Sequence, residues 1–457
     1  MPFYSKEYMF DIHADLKNYY DNHVRLGKSQ RDELAGFRDV NLQRLKDGLD
    51  ELGVEHEVTY NHFIEWKNQG SYAMHTLNQA EEYDYDIDVG VIFDAADLPE
   101  DAAAARLRVQ DALRNKANGF TKEPEARKNA VTIWYSLGYH IDFAIYRVRN
   151  TFWEGRVLEH AGADGWKKRN PDDINDWFTK QVDTCSPQVN AFYTLLGQPV
   201  TVEPKQLRRI VRFAKAFSKS RSGWSLPGGM ILSTLVCEVY KPHPTRDDIA
   251  LYDTLHALQN RLASRKIVHS PVDSSIELTD TLKRLKEVER LHNNLNRLLP
   301  KLDVLKSDEC TRAQALAAWS HIFNHNFWSV AVSKAAGDQV QSGGLVLECA
   351  LARYKEGPVF GAYKSNSKSL PKGLGLRFRV KSTNVPPPYI LKWTVQNEGD
   401  EATDANQMSW AKTTTSANPD MWTSTSYKGN QTMKCEIFKD GIFKEAAQHC
   451  VRIAGRG

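Results

Sequence analysis

The sequence predicts an α+β chain in three stretches: a mixed α/β first part, a predominantly helical middle and a small closing β domain. Three observations carry that prediction. The run Asp84-Tyr85-Asp86-Ile87-Asp88 continues into Val89, Val91 and Phe93 with the period-two alternation of a strand, acids facing one way and apolar side chains the other. Apolar residues recur at helical spacing through Leu207, Ile210, Val211, Ala214 and Phe217, and again across Leu282 to Leu299. Short β patterns separated by polar segments, including Pro386-Pro387-Pro388, then fill the end of the chain.

The elements follow in order. Ser29 with Asp32 resembles a capping box, and Leu34, Phe37, Leu42, Leu45, Leu49 and Leu52 repeat near helical spacing until Gly53, predicting a long helix over 29–52. Val58, Tyr60, His62 and Ile64 fit a strand over 57–66 that ends at the Asn68-Gln69-Gly70-Ser71 turn, with Ser71 opening a helix. After the acidic strand, alanine-rich 102–116 reads as a helix. Ala130 to Tyr135 and Tyr139 to Tyr146 then read as a hairpin around Ser136-Leu137-Gly138. From Asp176 to about Lys355 the pattern is helical; Arg353 to Gly375, rich in Gly, Ser and Lys, looks like a linker. Strands are expected at 376–380, 390–395, 433–437 and 450–453. The expected boundaries are thus 1–175, 176–352, 353–375 and 376–457.

With 457 residues, two or three domains are expected, and 41% hydrophobic with 26% charged residues is ordinary for a soluble globular protein. No apolar run approaches the roughly 20 residues of a membrane helix, and Met1 to Phe10 lacks the apolar core of a secretory signal, so a cytoplasmic protein without a membrane partner is expected. Six cysteines without a C-x-x-C pair argue against a zinc ribbon or a disulfide framework, leaving reduced, mostly buried thiols. A net charge of +3 does not by itself indicate a nucleic-acid binder.

Chemistry concentrates in the first part. Carboxylates as close as Asp84, Asp86 and Asp88 either take up protons or gather a divalent cation. Asp142, in Tyr139-His140-Ile141-Asp142-Phe143, is set opposite Ile141, Phe143 and Ile145 and supplies a further acid from a neighbouring strand. Two cations held by three carboxylates suit in-line nucleotidyl transfer, with magnesium the best fit and manganese as a substitute. A calcium loop of the EF-hand type is excluded, since Val89 and Ala95 stand where Gly and Glu are required. A polar edge strand is the bland alternative. Gly70 permits close backbone approach, and Ser71 with the N–H groups of a helix start suits phosphate oxygens. Arg208, Arg212, Lys215 and Lys219 make one basic stripe opposite an apolar face, with Lys215 chosen as the phosphate contact; a merely solvated stripe is the alternative. His321 and His325 share a helical face, but no further ligand completes a zinc set and neither is given a role. Trp224, Tyr240 and Tyr252 are unranked candidates for stacking on a base.

Gln69-Gly70-Ser71, then Asp86-Ile87-Asp88, then Asp142, with a basic helix at Lys215, resembles the bacterial cGAS/DncV-like nucleotidyltransferases of the SMODS family across most of residues 1–350. The resemblance implies a bilobed, polymerase-β-like nucleotidyltransferase lobe joined to a helical lobe by an N-terminal spine helix. It implies Asp86, Asp88 and Asp142 as catalytic metal ligands, Gln69, Gly70 and Ser71 as donor-phosphate contacts, and Lys215 as triphosphate clamp. One departure is Pro227 followed by Gly228-Gly229, where a phosphate-contacting Ser is often found. Trp393-x-Val395-x-Asn397-x-Gly399-x-Glu401-Ala402, with Tyr427-x-Gly429 and Cys435, resembles the adenylyl/guanylyl and SMODS C-terminal sensor domain. Together these imply an anti-phage enzyme of the CBASS type that condenses ATP, GTP or both into a cyclic messenger for a separate effector. The terminal Gly457 adds an implied ubiquitin-like conjugation. The alternatives are a template-independent RNA nucleotidyltransferase of the poly(A) or tRNA-end-adding type, and a non-catalytic nucleotide-binding protein.

Overall fold

The computed structural model describes residues 9–79, 85–114, 120–135, 139–185, 205–221, 223–335, 344–439 and 442–454. Two compact units emerge: His13–Ala216 with Gly228–Lys286, and Met1–Ile12 with Phe217–Pro227 and Glu287–Gly457. The helical middle is therefore divided between them rather than forming a unit of its own.

The first unit opens with α1 (His13–Tyr19) and the long α2 (Lys28–Glu55). Leu34, Leu42, Leu45, Leu49 and Leu52 form its buried stripe, as their spacing predicts. Its N-cap is Gly27, so Ser29 lies inside the helix and forms no capping box. The expected strand over 57–66 shrinks to β1 (Glu65–Asn68), followed by the single turn α3 (Gly70–Ala73) and β2 (Asp86–Asp94). After α4 (Ala102–Arg114) come β3 (Glu125–Ala126), β4 (Val131–Trp134), β5 (His140–Thr151), β6 (Gly155–Gly162) and β7 (Gly165–Lys168). The sheet runs β1-β2-β5-β4-β3, with β6 joining β5 to β7. Strands β2 and β5 are parallel, whereas β4 pairs antiparallel with β5 as the predicted hairpin requires. Its turn, Ser136 to Gly138, lies outside the described residues, as does Asp84.

Period-two alternation makes the two sheet faces different. Ile87, Val89, Val91 and Phe93 of β2 and Ile141, Phe143 and Ile145 of β5 join α2 and α4 in one core. Full burial of side chains this size contributes roughly 1.5–3 kcal/mol each, so this face fixes the strand register and thereby turns Asp86, Asp88, His140 and Asp142 to the other side.

Helices α5 (Asp173–Thr184), α6 (Gln206–Lys219), α7 (Gly229–Val239) and α8 (Asp247–Ser264) follow. The basic stripe of α6 is packed at Arg212 and half-buried at Arg208 and Lys215, and only Lys219 at its end is solvated. Arg212 is buried against Tyr20, donating to its hydroxyl, and Arg208 lies 5.9 Å from the Phe178 ring.

The second unit contains α9 (Leu282–Leu298, most of it), α10 (Arg312–Phe323), α11 (Asn326–Ala335) and a β domain. Strands begin at β8 (Val346–Ala352), inside the expected helical stretch, and β9 (Val359–Tyr363) lies inside the expected linker. Their apolar runs are short and interrupted by small or polar residues, which hides them from a periodicity test. Strand β10 (Gly375–Ser382), β11 (Ile390–Glu398), the short α12 (Asp400–Asp404), β12 (Ser409–Thr415), β13 (Met421–Ser424), β14 (Gly429–Lys439) and β15 (Ile442–Ile453) complete it. Two four-stranded sheets, β13-β10-β8-β9 and β12-β11-β14-β15, share a core that includes Phe378, Trp393, Val395, Met433 and Cys435. All six cysteines are free; Cys310, Cys349 and Cys435 are buried and the other three half-buried. Among the described residues, no helix is long and apolar enough to cross a membrane.

Candidate active site

Parallel register sets Asp86 beside His140 and Asp88 beside Asp142 on the polar face of β2 and β5. The next strand adds Thr132, aligned with Asp142, whose carboxylate accepts a hydrogen bond from the Thr132 hydroxyl. One donor atom from each of Asp86, His140 and Asp142 lies within 4.8 Å of the other two, the only such group of three or more among the described residues. His140 Nε2 is 3.4 Å from Asp86 Oδ1, and its backbone N–H is fixed by the Tyr85 carbonyl at 2.9 Å.

Asp88 is distinct. It stands outside that group, packed against the turn before α3. The Gln69 N–H donates to the Asp88 carbonyl at 2.8 Å, and Gly70 follows with φ of +60°. A Cβ on Gly70 would fall 1.7 Å from Asp88 Oδ2, so only glycine permits this approach. Burial, then the charges of Asp86 and Asp142, push the Asp88 carboxyl up to about 7; Arg169 and Lys215 pull the other way. Near neutral pH this carboxyl readily takes up a proton unless a cation takes its place.

Lys215, from α6, donates from Nζ to the Thr76 carbonyl at 2.8 Å, which holds its charge near Asp88. The half-buried Ser71 is the second residue of α3, beside Gly70, and its carbonyl accepts from the Thr76 N–H at 2.9 Å. Gln69 precedes Gly70 at the N-cap of α3. Its amide donates to the Tyr146 hydroxyl at 2.8 Å, with the Pro171 carbonyl at 3.5 Å.

A cavity of about 560 Å³ opens beside Asp142, lined by residues from Glu125 to Ala130 and by Thr132. A groove of about 530 Å³, with Lys67, Arg156, Lys168 and Arg169, borders Ile92 and Leu158 on the same face. Sequence reasoning missed His140, Thr132 and Arg169. His140 carried a usable signal, since it alternates in phase with Asp142. Arg169 closes the run Lys167-Lys168-Arg169 and looks like an ordinary surface charge.

The other candidates are occupied internally. Trp224 and Tyr252 are buried, and the Tyr240 hydroxyl donates to Gln206 at 2.7 Å. His325 Nδ1 accepts from the Phe327 N–H at 3.1 Å.

The donor set fits a divalent cation: two carboxylates and an imidazole within ligation range, a third carboxylate behind them that resists ionisation, and two nearby cationic side chains. This is the architecture of a metal-dependent nucleotidyltransferase. Comparison with known proteins agrees. Residues 64–146 match the family described as cyclic GMP-AMP synthase DncV-like, nucleotidyltransferase domain, and residues 318–454 match the adenylyl/guanylyl and SMODS C-terminal sensor domain. A cyclic GMP-AMP synthase of Escherichia albertii is 27% identical over 391 residues, covering 82% of this chain and 81% of the relative. Two solved structures share the fold. Escherichia coli DncV bound to 3'-deoxy GTP has a TM-score of 0.52 at 17% identity, over 70% of this chain and 98% of that one. The Bradyrhizobium diazoefficiens CD-NTase CdnG in complex with GTP has a TM-score of 0.51 at 14% identity, over 71% and 98%. Residues 64–146 are thus similar to the DncV-like nucleotidyltransferase domain, and residues 318–454 to the adenylyl/guanylyl and SMODS C-terminal sensor domain.

Proposed function

We propose that this protein condenses nucleoside triphosphates, ATP and GTP among them, into a cyclic di- or trinucleotide messenger and releases pyrophosphate. The single observation that carries the proposal is the meeting of Asp86, His140 and Asp142 on the face where Gly70 backs Asp88. The nucleotides bound in the related structures support purine triphosphates as substrates.

Asp86, Asp88 and Asp142 hold the catalytic cations, with magnesium as the ordinary ion. Bound there, a divalent ion lowers the pKa of an attacking hydroxyl and neutralises charge on the triphosphate. Thr132 orients Asp142 through its hydroxyl. Ser71 and the backbone at Gly70 contact the donor phosphates. Lys215 and Arg169 bring positive charge to the triphosphate, and Gln69, whose amide also donates to the Tyr146 hydroxyl, joins Ser71 at the donor phosphates. The messenger would act on a separate effector in anti-phage defence, with the C-terminal domain sensing the trigger. Conjugation through Gly457 belongs to the same proposal, and that residue lies outside the described residues.

The test is incubation of the full chain with the four ribonucleoside triphosphates and magnesium or manganese, followed by phosphatase treatment and mass spectrometry. The expected result is a phosphatase-resistant cyclic product with matching pyrophosphate, absent in Asp86→Ala and Asp142→Ala. Linear products alone would remove the cyclase claim and favour the template-independent polymerase.

A further inference from the structure

We propose that Arg31, Lys205, Arg208 and Arg212, together with His75, form a binding site for a polyphosphate anion, separate from the acid cluster. The site goes beyond the condensation reaction and does not depend on it.

The cluster is assembled from distant parts of the chain. Arg31 lies in the first turn of α2, His75 follows α3, and Lys205 leads into α6, which presents Arg208 and Arg212 one turn apart. Arg31 donates to His75 Nδ1 and lies 4.8 Å from the Tyr72 ring. His75 and Lys205 both take a left-handed backbone, with φ of 54° and 61°, a conformation that non-glycine residues rarely adopt and that clusters at ligand sites. The start of α6 adds the positive end of a helix dipole beside Lys205.

What the cluster lacks is negative charge. Among the described residues, none of the four cationic side chains forms an ion pair with a carboxylate, and Asp183 acts on Arg208 only at longer range. Arg212 is 7% exposed and its Nε has no hydrogen-bond partner; the buried Nε of Arg208 has none either. Burial, then Arg31, Arg208, Arg212 and Lys205, holds His75 down to about 4, and burial, Arg212 and Arg31 lower Arg208. Buried guanidinium N–H groups without acceptors are costly, and phosphate oxygens match their planar fork. Several converging cations favour a di- or triphosphate chain over a singly charged ligand. Along α6, a rise of about 1.5 Å per residue sets Arg208 roughly 10 Å from Lys215, the residue whose charge reaches Asp88.

The full chain is titrated calorimetrically in chelator, without divalent ions, with pyrophosphate, tripolyphosphate and ATP. Saturable binding is expected, weakened on the order of tenfold in Arg31→Gln and in Lys205→Gln, and far less affected in Lys215→Met. The His75 imidazole, followed by NMR, should titrate at higher pH once the anion is bound, because nearby negative charge favours the imidazolium. Circular dichroism melts establish that the variants are folded, and the exposed Lys205 carries the test should Arg31→Gln unfold. Matching affinities for tripolyphosphate and ATP assign the site to a free polyphosphate, and tighter ATP binding assigns it to the phosphate tail of a nucleotide; either result supports it. No saturable binding, binding that survives both substitutions, binding abolished by Lys215→Met, or a His75 that does not shift would overturn the proposal.

Discussion

Asp88→Asn should stabilise the metal-free protein while destroying its activity. Folding raises the Asp88 carboxyl from 3.8 to about 7, through burial and the neighbouring charges of Asp86 and Asp142. A carboxyl whose pKa rises on folding binds its proton more tightly in the native state. Native stability is therefore lost as pH climbs from about 4 through about 7, and the penalty is complete above that. At roughly 1.4 kcal/mol per tenfold change in proton affinity, the ceiling is about 4 kcal/mol. Sharing of the proton within the acid cluster and local relaxation reduce the expected value to about 1–2 kcal/mol. For a unit of this size that is a rise of roughly 2–8 °C in melting temperature. Melts of both proteins in chelator at pH 8 should show the asparagine variant melting higher, with the gap closing near pH 5. Added Mn2+ or Mg2+ at pH 8 should raise the wild type preferentially, since the ion supplies the positive charge that the cluster lacks. An equal gap at pH 5 and pH 8, or a variant that melts lower than wild type in chelator at pH 8, would refute the view that like-charge repulsion and desolvation dominate at Asp88.

Gly70→Ala forces a Cβ to 1.7 Å from Asp88 Oδ2 at a φ of +60°, so the turn must move and carry Asp88 with it. A displacement near 1 Å at the reacting centre costs on the order of 10²-fold, and kcat/KM for nucleotide condensation should fall by that factor while the fold persists by circular dichroism. Lys215→Met removes the donor to the Thr76 carbonyl and one of the charges that lower the Asp88 pKa. Nucleotide KM should rise, and the acidic limb of the pH–rate profile should shift to higher pH; an unmoved limb would separate Lys215 from Asp88. Arg221→Met removes the ion-pair partner of the half-buried Glu398, with an expected loss of about 1–3 kcal/mol read by denaturant melts, partly recovered in Arg221→Met with Glu398→Gln.

Legibility in the sequence followed the strength of local periodicity. The acidic strand was readable because Ile87, Val89, Val91 and Phe93 alternate with polar positions, and the core confirms that phase. Asp142 was readable by the same logic from Ile141, Phe143 and Ile145. The long helix at Lys28–Glu55 was legible from its leucines, although its cap was not, because Gly27 forms no side-chain cap that a Ser/Asp pattern reveals. Three kinds of feature escaped. His140 is in phase with Asp142, but its imidazole does not stand out as the carboxylates of an acidic strand do. Arg169 and Thr132 depend on which strands become neighbours, and Gln69 on a partner 77 residues away. Strands such as Val346–Ala352 and Val359–Tyr363 gain their stability from pairing in a sandwich, which a local pattern does not encode.

The residues that make the C-terminal domain recognisable also have a mechanical role. Gly399 and Gly429 have φ of +141° and +133°, and both meet Gly223, the residue two positions after Arg221. A Cβ on Gly223 would fall 2.8 Å from the Gly399 Cα and 2.9 Å from the Gly429 Cα, so three backbones touch without side chains between them. Around this point Arg221 pairs with Glu398 at 3.2 Å, donates to the carbonyls of His321 and Ile322, and lies 4.4 Å from the Trp224 ring. Glu401 accepts from Lys372 and from the Lys428 backbone, while Arg290 reaches Asp400 at 3.4 Å. The sequence motif around Glu398 to Ala402 and Gly429 is therefore a junction between the β domain and the segment that leaves α6. An ion pair with its Arg221 side buried and a close-packed three-glycine contact leave little room for gradual deformation. A displacement of β11 or β14 at this end of the β domain therefore reaches Arg221 through Glu398, Gly399 and Gly429.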